Sequence, residues 1–144
     1  MVYHQVCGYD DLMDCLFCAI VAGEIPSRRV YADDAAIAFL DINPFHPGHT
    51  LVIPRRHVQD LLADPVVLEE IAPAIEATAK LLVDKLGADG LNVMSSAGEV
   101  AGQEVMHLHV HLIPRSADKP GLRELLVREP VGDVDEVFAR ITAP

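Results

Sequence analysis

The order of apolar patterns along this 144-residue chain predicts an α+β fold, with about five antiparallel strands, one long helix and one short helix. Three observations carry that expectation. Runs with strand character come first, a long stretch of helical periodicity follows, and strands return after it; this order suits an antiparallel sheet with helices on one face better than a parallel, doubly wound one. The helical stretch has apolar residues at Val67, Ile71, Ile75, Leu82 and Leu86, close to a 3.6-residue repeat, with Gly87 as its stop. The third observation is the strict alternation His107-Leu108-His109-Val110-His111-Leu112, which has the two-residue period of a strand.

Taken in order, a short helix is expected over Leu12 to Ala22. Strands are expected at Arg29 to Tyr31 and Ala35 to Asp41, joined as a hairpin by a tight turn at Asp33-Asp34, and at Thr50 to Ile53. The long helix should start with Asp64 as N-cap and Pro65 at its first position and run to Leu86, with a kink at Pro73. Strands Leu91 to Ser95 and Val105 to Ile113 complete the sheet, and a last helix is expected over Val134 to Ile141. With 51% hydrophobic residues and no repeat or low-complexity tract, residues 1–144 read as one domain, its core at about 15–115 and its tail at 116–144.

The formal net charge of −11 opposes binding along an extended nucleic acid, which needs a basic face, but leaves room for a small phosphorylated ligand held by a local cluster of donors. The longest apolar run, Leu16 to Ala22, falls far short of the roughly 20 residues that cross a bilayer. Residues Met1 to Asp14 carry three aspartates and no Lys or Arg, unlike a secretory signal, so a cytoplasmic location is expected. Cys7, Cys15 and Cys18 are odd in number and crowded, which does not look like a disulfide framework; Cys15-x-x-Cys18 suits a metal clip better.

The histidine segment carries the chemistry. On a strand, His107, His109 and His111 line one face while Leu108, Val110 and Leu112 enter the core. The outer α-carbons would then lie about 13 Å apart, too far for the three rings to converge on one ion. An adjacent pair could still chelate an ion; for the row as a whole, the arrangement left is one in which neighbouring imidazoles divide their tasks, one as nucleophile and another as orienting or proton-handling partner. The approach from Gly98 to Gln103 contains two glycines, which lets backbone N–H groups come close to an anion.

The stretch Gly102 to Arg115, containing His107-Leu108-His109-Val110-His111-Leu112-Ile113, resembles the signature of the histidine-triad (HIT) family. Further stretches resemble the family in the same order: Cys15-Leu16-Phe17-Cys18 followed by Gly23-Glu24-Ile25-Pro26-Ser27, Phe39-Leu40-Asp41-Ile42, and Pro47-Gly48-His49-Thr50-Leu51-Val52-Ile53-Pro54 with His57. The resemblance implies a HIT-like fold and a nucleotide hydrolase that cleaves at the α-phosphate of nucleoside phosphoramidates or dinucleoside polyphosphates. His109 would attack phosphorus, a nucleotidyl-histidine would form, and water would release the nucleoside monophosphate. It further implies that Asp41 holds the ribose hydroxyls, that His49 and His111 contact phosphate oxygens or the neighbouring imidazole, and that Gln103 lies near the leaving group. Ser96 stands where many relatives have a phosphate-side asparagine, and Glu104 where several branches have serine or threonine. His111, which is glutamine in a transferase branch, favours hydrolase over transferase. Some members hold a structural zinc, and Cys15, Cys18, His57 and His107 match its four ligands. A homodimer is also implied. Two competing functions are a non-catalytic nucleotide-binding or scaffold protein, and a redox or zinc-delivery protein working through Cys15 and Cys18.

Overall fold

The computed structural model describes residues 15–122, 126, 128, 130 and 132–143. Helix α1 spans Leu16–Ala22, strands β1 to β3 span Arg29–Ala32, Ala36–Leu40 and Thr50–Pro54, and helix α2 spans Val67–Leu86. Strand β4 covers Gly90–Met94, a 3-10 turn covers Glu99–Ala101, strand β5 covers Val110–Arg115, and helix α3 covers Val134–Thr142. The part of the first expected helix before Cys15 lies outside the described residues. Among the described residues no helix is long and apolar enough to cross a membrane.

The strands form one antiparallel sheet in the order β1-β2-β3-β5-β4. The β1–β2 hairpin closes as expected at Asp33, whose Oδ1 accepts the N–H groups of Ala35 at 2.9 Å and Ala36 at 2.8 Å. One expectation needs correction, because helices cover both faces of the sheet. On one face, Val67, Ile71, Ala74 and Leu82 of α2 pack with Ala36, Ala38, Val52, Val110 and Leu112. On the other, Phe17 and Ile20 of α1 pack with Ile37, Phe39, Leu51 and Ile53. Strand β2 is apolar at every position from Ala36 to Leu40, the pattern of a strand buried on both sides.

Helix α2 begins two residues later than Asp64-Pro65 implies. Asp64 does accept a backbone N–H, that of Val66 at 2.9 Å, but its carboxylate also takes Arg56 at 2.9 Å, and Arg56 reaches Glu70 of the first turn at 2.8 Å. The acidic group therefore anchors the entry turn, and helical geometry starts at Val67. The helix continues through Pro73, which is exposed, so the Glu69 carbonyl that loses its amide partner lies on the wet side. Helix α3 matches its expected span and shows Val134, Val137, Phe138 and Ile141 to solvent.

Strand β5 also starts late. It was expected from Val105, yet regular pairing begins at Val110, so only His111 of the three alternating histidines sits on the strand. The preceding segment bends inward, and the Leu108 N–H bonds to the Val58 carbonyl at 2.6 Å instead of to a neighbouring strand. The two-sided character survives the bend. Leu108, Val110 and Leu112 enter the α2 core while the histidines face the α1 side.

Candidate active site

Helix α1 covers only part of its sheet face, leaving a cavity of about 660 Å³ beside it. Its walls include Leu16, Phe17, Ile20, Phe39 and Leu51; its polar groups include Asp41, Glu104, His109 and His111. That volume lies within the range of small-molecule sites, and an apolar chamber with a few convergent polar groups is their usual composition. Phe17 stands at the junction, edge-on to His109 at 5.2 Å, to His107 at 5.9 Å and to Phe39 at 5.7 Å between ring centroids.

Backbone groups determine which nitrogen of each imidazole carries the proton. A carbonyl can only accept, so His107 Nε2, 3.0 Å from the Pro54 oxygen, carries hydrogen and leaves Nδ1 bare. By the same rule His109 Nδ1 donates to the His107 carbonyl at 2.7 Å, and its Nε2 holds a free lone pair. His49 is the reverse case: the Phe45 N–H donates to its Nδ1 at 3.1 Å, so its proton is on Nε2, which donates to His111 Nδ1 at 2.9 Å. The remaining proton of His111 is then on Nε2. A bare nitrogen on His109 thus stands next to an N–H on His111, the two rings being 5.0 Å apart.

Burial, reinforced by His109 and His49, pushes the His111 imidazolium down to about 4. Burial also lowers His49, against the opposing pull of Asp41. Both rings are accordingly neutral at physiological pH, as the chain of donors requires. His49 reaches its place through the turn Pro47-Gly48. Gly48 has φ of 87°, and a β-carbon there would run into Leu86 and crowd Pro114.

A second cluster lies behind the first. Cys15 Sγ is 3.5 Å from His107 Nδ1, and Cys18 Sγ is 3.3 Å from His57 Nδ1 and 3.5 Å from His107 Nδ1. With Zn–S near 2.3 Å and Zn–N near 2.0–2.1 Å, the edges of a tetrahedral Cys2His2 site are about 3.5 Å, so these spacings fit zinc. The bare Nδ1 of His107 and the Pro54 carbonyl on its other nitrogen are what an oriented metal ligand needs. Cys18 is disulfide-bonded in the structure, and its sulfur has to be released as a thiolate before it can ligate a metal. Asp41, His49 and His111 also bring ligand-type atoms within 4.8 Å of one another. There, however, the His49 Nε2 proton occupies the position a metal would take, and the group is a hydrogen-bond chain rather than a chelate.

The structure therefore brings together Asp41, His49, His109 and His111 in one group and Cys15, Cys18, His57 and His107 in another. Gln103 and Ser96 are not part of the cavity lining. Gln103 is 2% exposed, and its amide is engaged with backbone, accepting from Gly98 N–H at 2.7 Å and donating to the Gln59 carbonyl at 2.6 Å and the Val105 carbonyl at 3.1 Å. Ser95, which the sequence did not single out, donates to the His109 carbonyl at 2.7 Å. The sequence also gave no sign of Pro54 and Phe45, because both act through main-chain atoms.

A cleft walled by an antiparallel sheet and a short helix, holding a bare imidazole nitrogen beside a polar chain, defines a compact α+β protein with a nucleotide-sized site. The HIT domain model matches residues 22–118, and the chain belongs to the HIT family. A HIT-like protein of Methanocaldococcus jannaschii is 47% identical over 103 residues, 70% of this chain and 78% of the relative. The adenylylsulfatase HINT3 of Arabidopsis thaliana is 37% identical over 103 residues, 71% of this chain and 52% of the relative. A zinc-bound histidine triad family protein from Mycobacterium smegmatis superposes with a TM-score of 0.69 at 38% identity, covering 86% of this chain and 87% of that one.

Proposed function

We propose that this chain is a nucleotide hydrolase that cleaves at the α-phosphate of nucleoside phosphoramidates or dinucleoside polyphosphates through a nucleotidyl-His109 intermediate. The supporting observation is the pair of adjacent imidazoles in the cavity, His109 with a bare Nε2 and His111 with an N–H. The base and sugar occupy the apolar chamber, with Asp41 accepting from the ribose hydroxyls. His111 Nε2–H then hydrogen-bonds a phosphoryl oxygen, with His49 holding it in that tautomer.

With a phosphoramidate, the His109 Nε2 lone pair forms a bond to phosphorus while the P–N bond breaks. Its electron pair goes to the departing nitrogen, which takes one proton from solvent and leaves as an amine. The imidazole becomes cationic, and the Nδ1–H to His107 carbonyl bond, at 2.7 Å, stabilises that charge. Water then attacks phosphorus, the Nε2–P pair returns to the ring, and a proton returns to solvent. Splitting one displacement into two is ordinary nucleophilic catalysis. Ser96 is proposed to face the phosphate side and Gln103 to lie near the leaving group, where its buried amide clamps the backbone of the loop.

Cys15, Cys18, His57 and His107 would hold zinc, which supplies a rigid structural anchor there. Zinc-bound form and reducing compartment go together, since the cysteines must be thiolates. Two subunits are proposed to pair, in keeping with the family.

Two measurements test the enzymatic reading. His109→Ala should abolish monophosphate release from an aminoacyl-adenylate analogue, and labelled nucleotide should be recovered on His109 of the wild-type chain after acid-free quenching. Full turnover by His109→Ala, or a wild-type chain with neither adduct nor turnover across a substrate panel, would sink it.

A further inference from the structure

The paired part of the sheet stops one residue short of His109. Strand β4 pairs with β5 as far as Met94 opposite His111, and β3 pairs with β5 as far as Val52 opposite Val110. At His109 itself a side chain takes over, the Ser95 hydroxyl donating to its carbonyl at 2.7 Å. That donor stands on fixed main chain. Ser95 follows directly on Met94 of the paired strand, and further along the same loop the Gly98 N–H is held by Gln103 Oε1 at 2.7 Å. Ser95 is half-buried and is not among the residues that wall the cavity. Two bonds therefore bracket the His109 side chain. Its Nδ1–H bond to the His107 carbonyl fixes the ring against the preceding main chain, and the Ser95 bond fixes the peptide that follows.

From this arrangement we infer that Ser95 is a positioning residue for the first displacement: its hydroxyl, acting through the His109 carbonyl, holds Nε2 on the line of attack at phosphorus. The inference rests on the hydrolase reading above. Attack by a lone pair is sensitive to placement, and an error of about 1 Å costs on the order of a hundredfold in rate. Once the Nε2–P bond has formed, that bond itself holds the ring against the phosphorus. The Ser95 hydroxyl should therefore speed formation of nucleotidyl-His109 and leave its hydrolysis nearly unchanged. A hydroxyl that did no more than satisfy a carbonyl at a strand end would behave differently. Its removal would lower stability and leave both chemical steps alone.

The experiment compares the wild-type chain with Ser95→Thr, Ser95→Val and Ser95→Ala, each well below its thermal midpoint. Threonine and valine have nearly the same shape and differ in the hydroxyl, so the contrast between them isolates the hydrogen bond from packing. Alanine repeats the loss of the hydroxyl in a smaller side chain. A labelled nucleoside 5′-phosphoramidate is mixed with saturating enzyme, and quenched single turnovers give the rates of adduct formation and adduct hydrolysis. Both are first-order at saturation and so insensitive to a partial loss of folded enzyme. Ser95→Val and Ser95→Ala should slow formation by about tenfold or more and change hydrolysis by less than about twofold. Ser95→Thr should form the adduct at close to the wild-type rate. Formation unchanged in the valine and alanine variants, or slowed as much by threonine as by valine, overturns the inference and leaves the hydrolase reading standing. Equal slowing of the two steps overturns it as well, because alignment of the free imidazole acts on the first alone. Neither adduct nor turnover in the wild-type chain removes both.

Discussion

At the scale of single residues, the site depends on protons held in place by main-chain atoms. The Phe45 ring stacks on His49 at 5.3 Å with 15° between planes, but it is the Phe45 N–H that sets the His49 tautomer. Two substitutions separate these roles. Phe45→Ala removes the ring and keeps the N–H, whereas Phe45→Pro removes both. Phe45→Pro should therefore lose on the order of tenfold more kcat than Phe45→Ala, the usual scale of a misplaced proton partner. Nitrogen-15 shifts should show His49 shifting toward a mixture of tautomers only in the proline variant. Equal rates in the two variants would mean that the amide is not needed. A pH prediction belongs to His111. Its folded value near 4 lies below the ordinary 6.5, so the folded state favours the neutral ring. The stability this contributes is present above about pH 6.5 and is lost as pH falls toward 4, with His109 and His49 adding to the loss and Asp41 opposing it. Denaturant midpoints of wild type should fall more steeply across that window than those of His111→Gln.

At the scale of elements, sequence patterns and structure part company where tertiary hydrogen bonds outweigh local signals. Helix α2 was legible because its apolar stripe has a helical period, and its start moved only because Arg56 draws Asp64 into an ion pair. Strand β5 was misread at its beginning for a similar reason. Alternation in His107-Leu108-His109-Val110 reports two-sidedness, which a bent segment preserves as well as a paired strand does. The side chains that gather at the two clusters, His109, Asp41 and the Cys-x-x-Cys pair among them, were visible in the residues themselves. The contacts made by main-chain carbonyls and amides, at Pro54, His107 and Phe45, were not, because any residue type supplies them. One element holds a mismatch of its own. Thr78, fully buried in the core face of α2, has no hydrogen-bond partner for its hydroxyl. Burying an unpaired hydroxyl costs about 1–3 kcal/mol, so Thr78→Val should raise unfolding free energy by about 1 kcal/mol with no change in activity. A destabilised valine variant in urea titration would show that the hydroxyl is satisfied in solution.

At the scale of the whole molecule, the two histidine groups are mechanically one. His107 contributes its Nδ1 to the cysteine cluster and its carbonyl to His109, so whatever fixes its ring also fixes the His109 ring. Phe17 adds a second link, since its helix starts at Cys15, whose sulfur accepts the Cys18 N–H at 3.4 Å. Zinc held by Cys15, Cys18, His57 and His107 would therefore tie α1, the segment after β3 and the approach to β5 into one unit. Closing a structural site contributes to folding directly, because the unfolded chain lacks it. The protein purified under reductant should contain one zinc per chain, and removing it with a chelator should lower the thermal midpoint by several degrees, consistent with the loss of a bound ligand. Cys15→Ser should do the same and become insensitive to chelator. Activity should fall mainly through kcat, because the cavity beside α1 is walled by side chains other than the four metal-type ligands. A midpoint unmoved by chelation in a chain shown to carry zinc would mean that packing of Phe17 against His107 and His109 holds the approach to β5 without it.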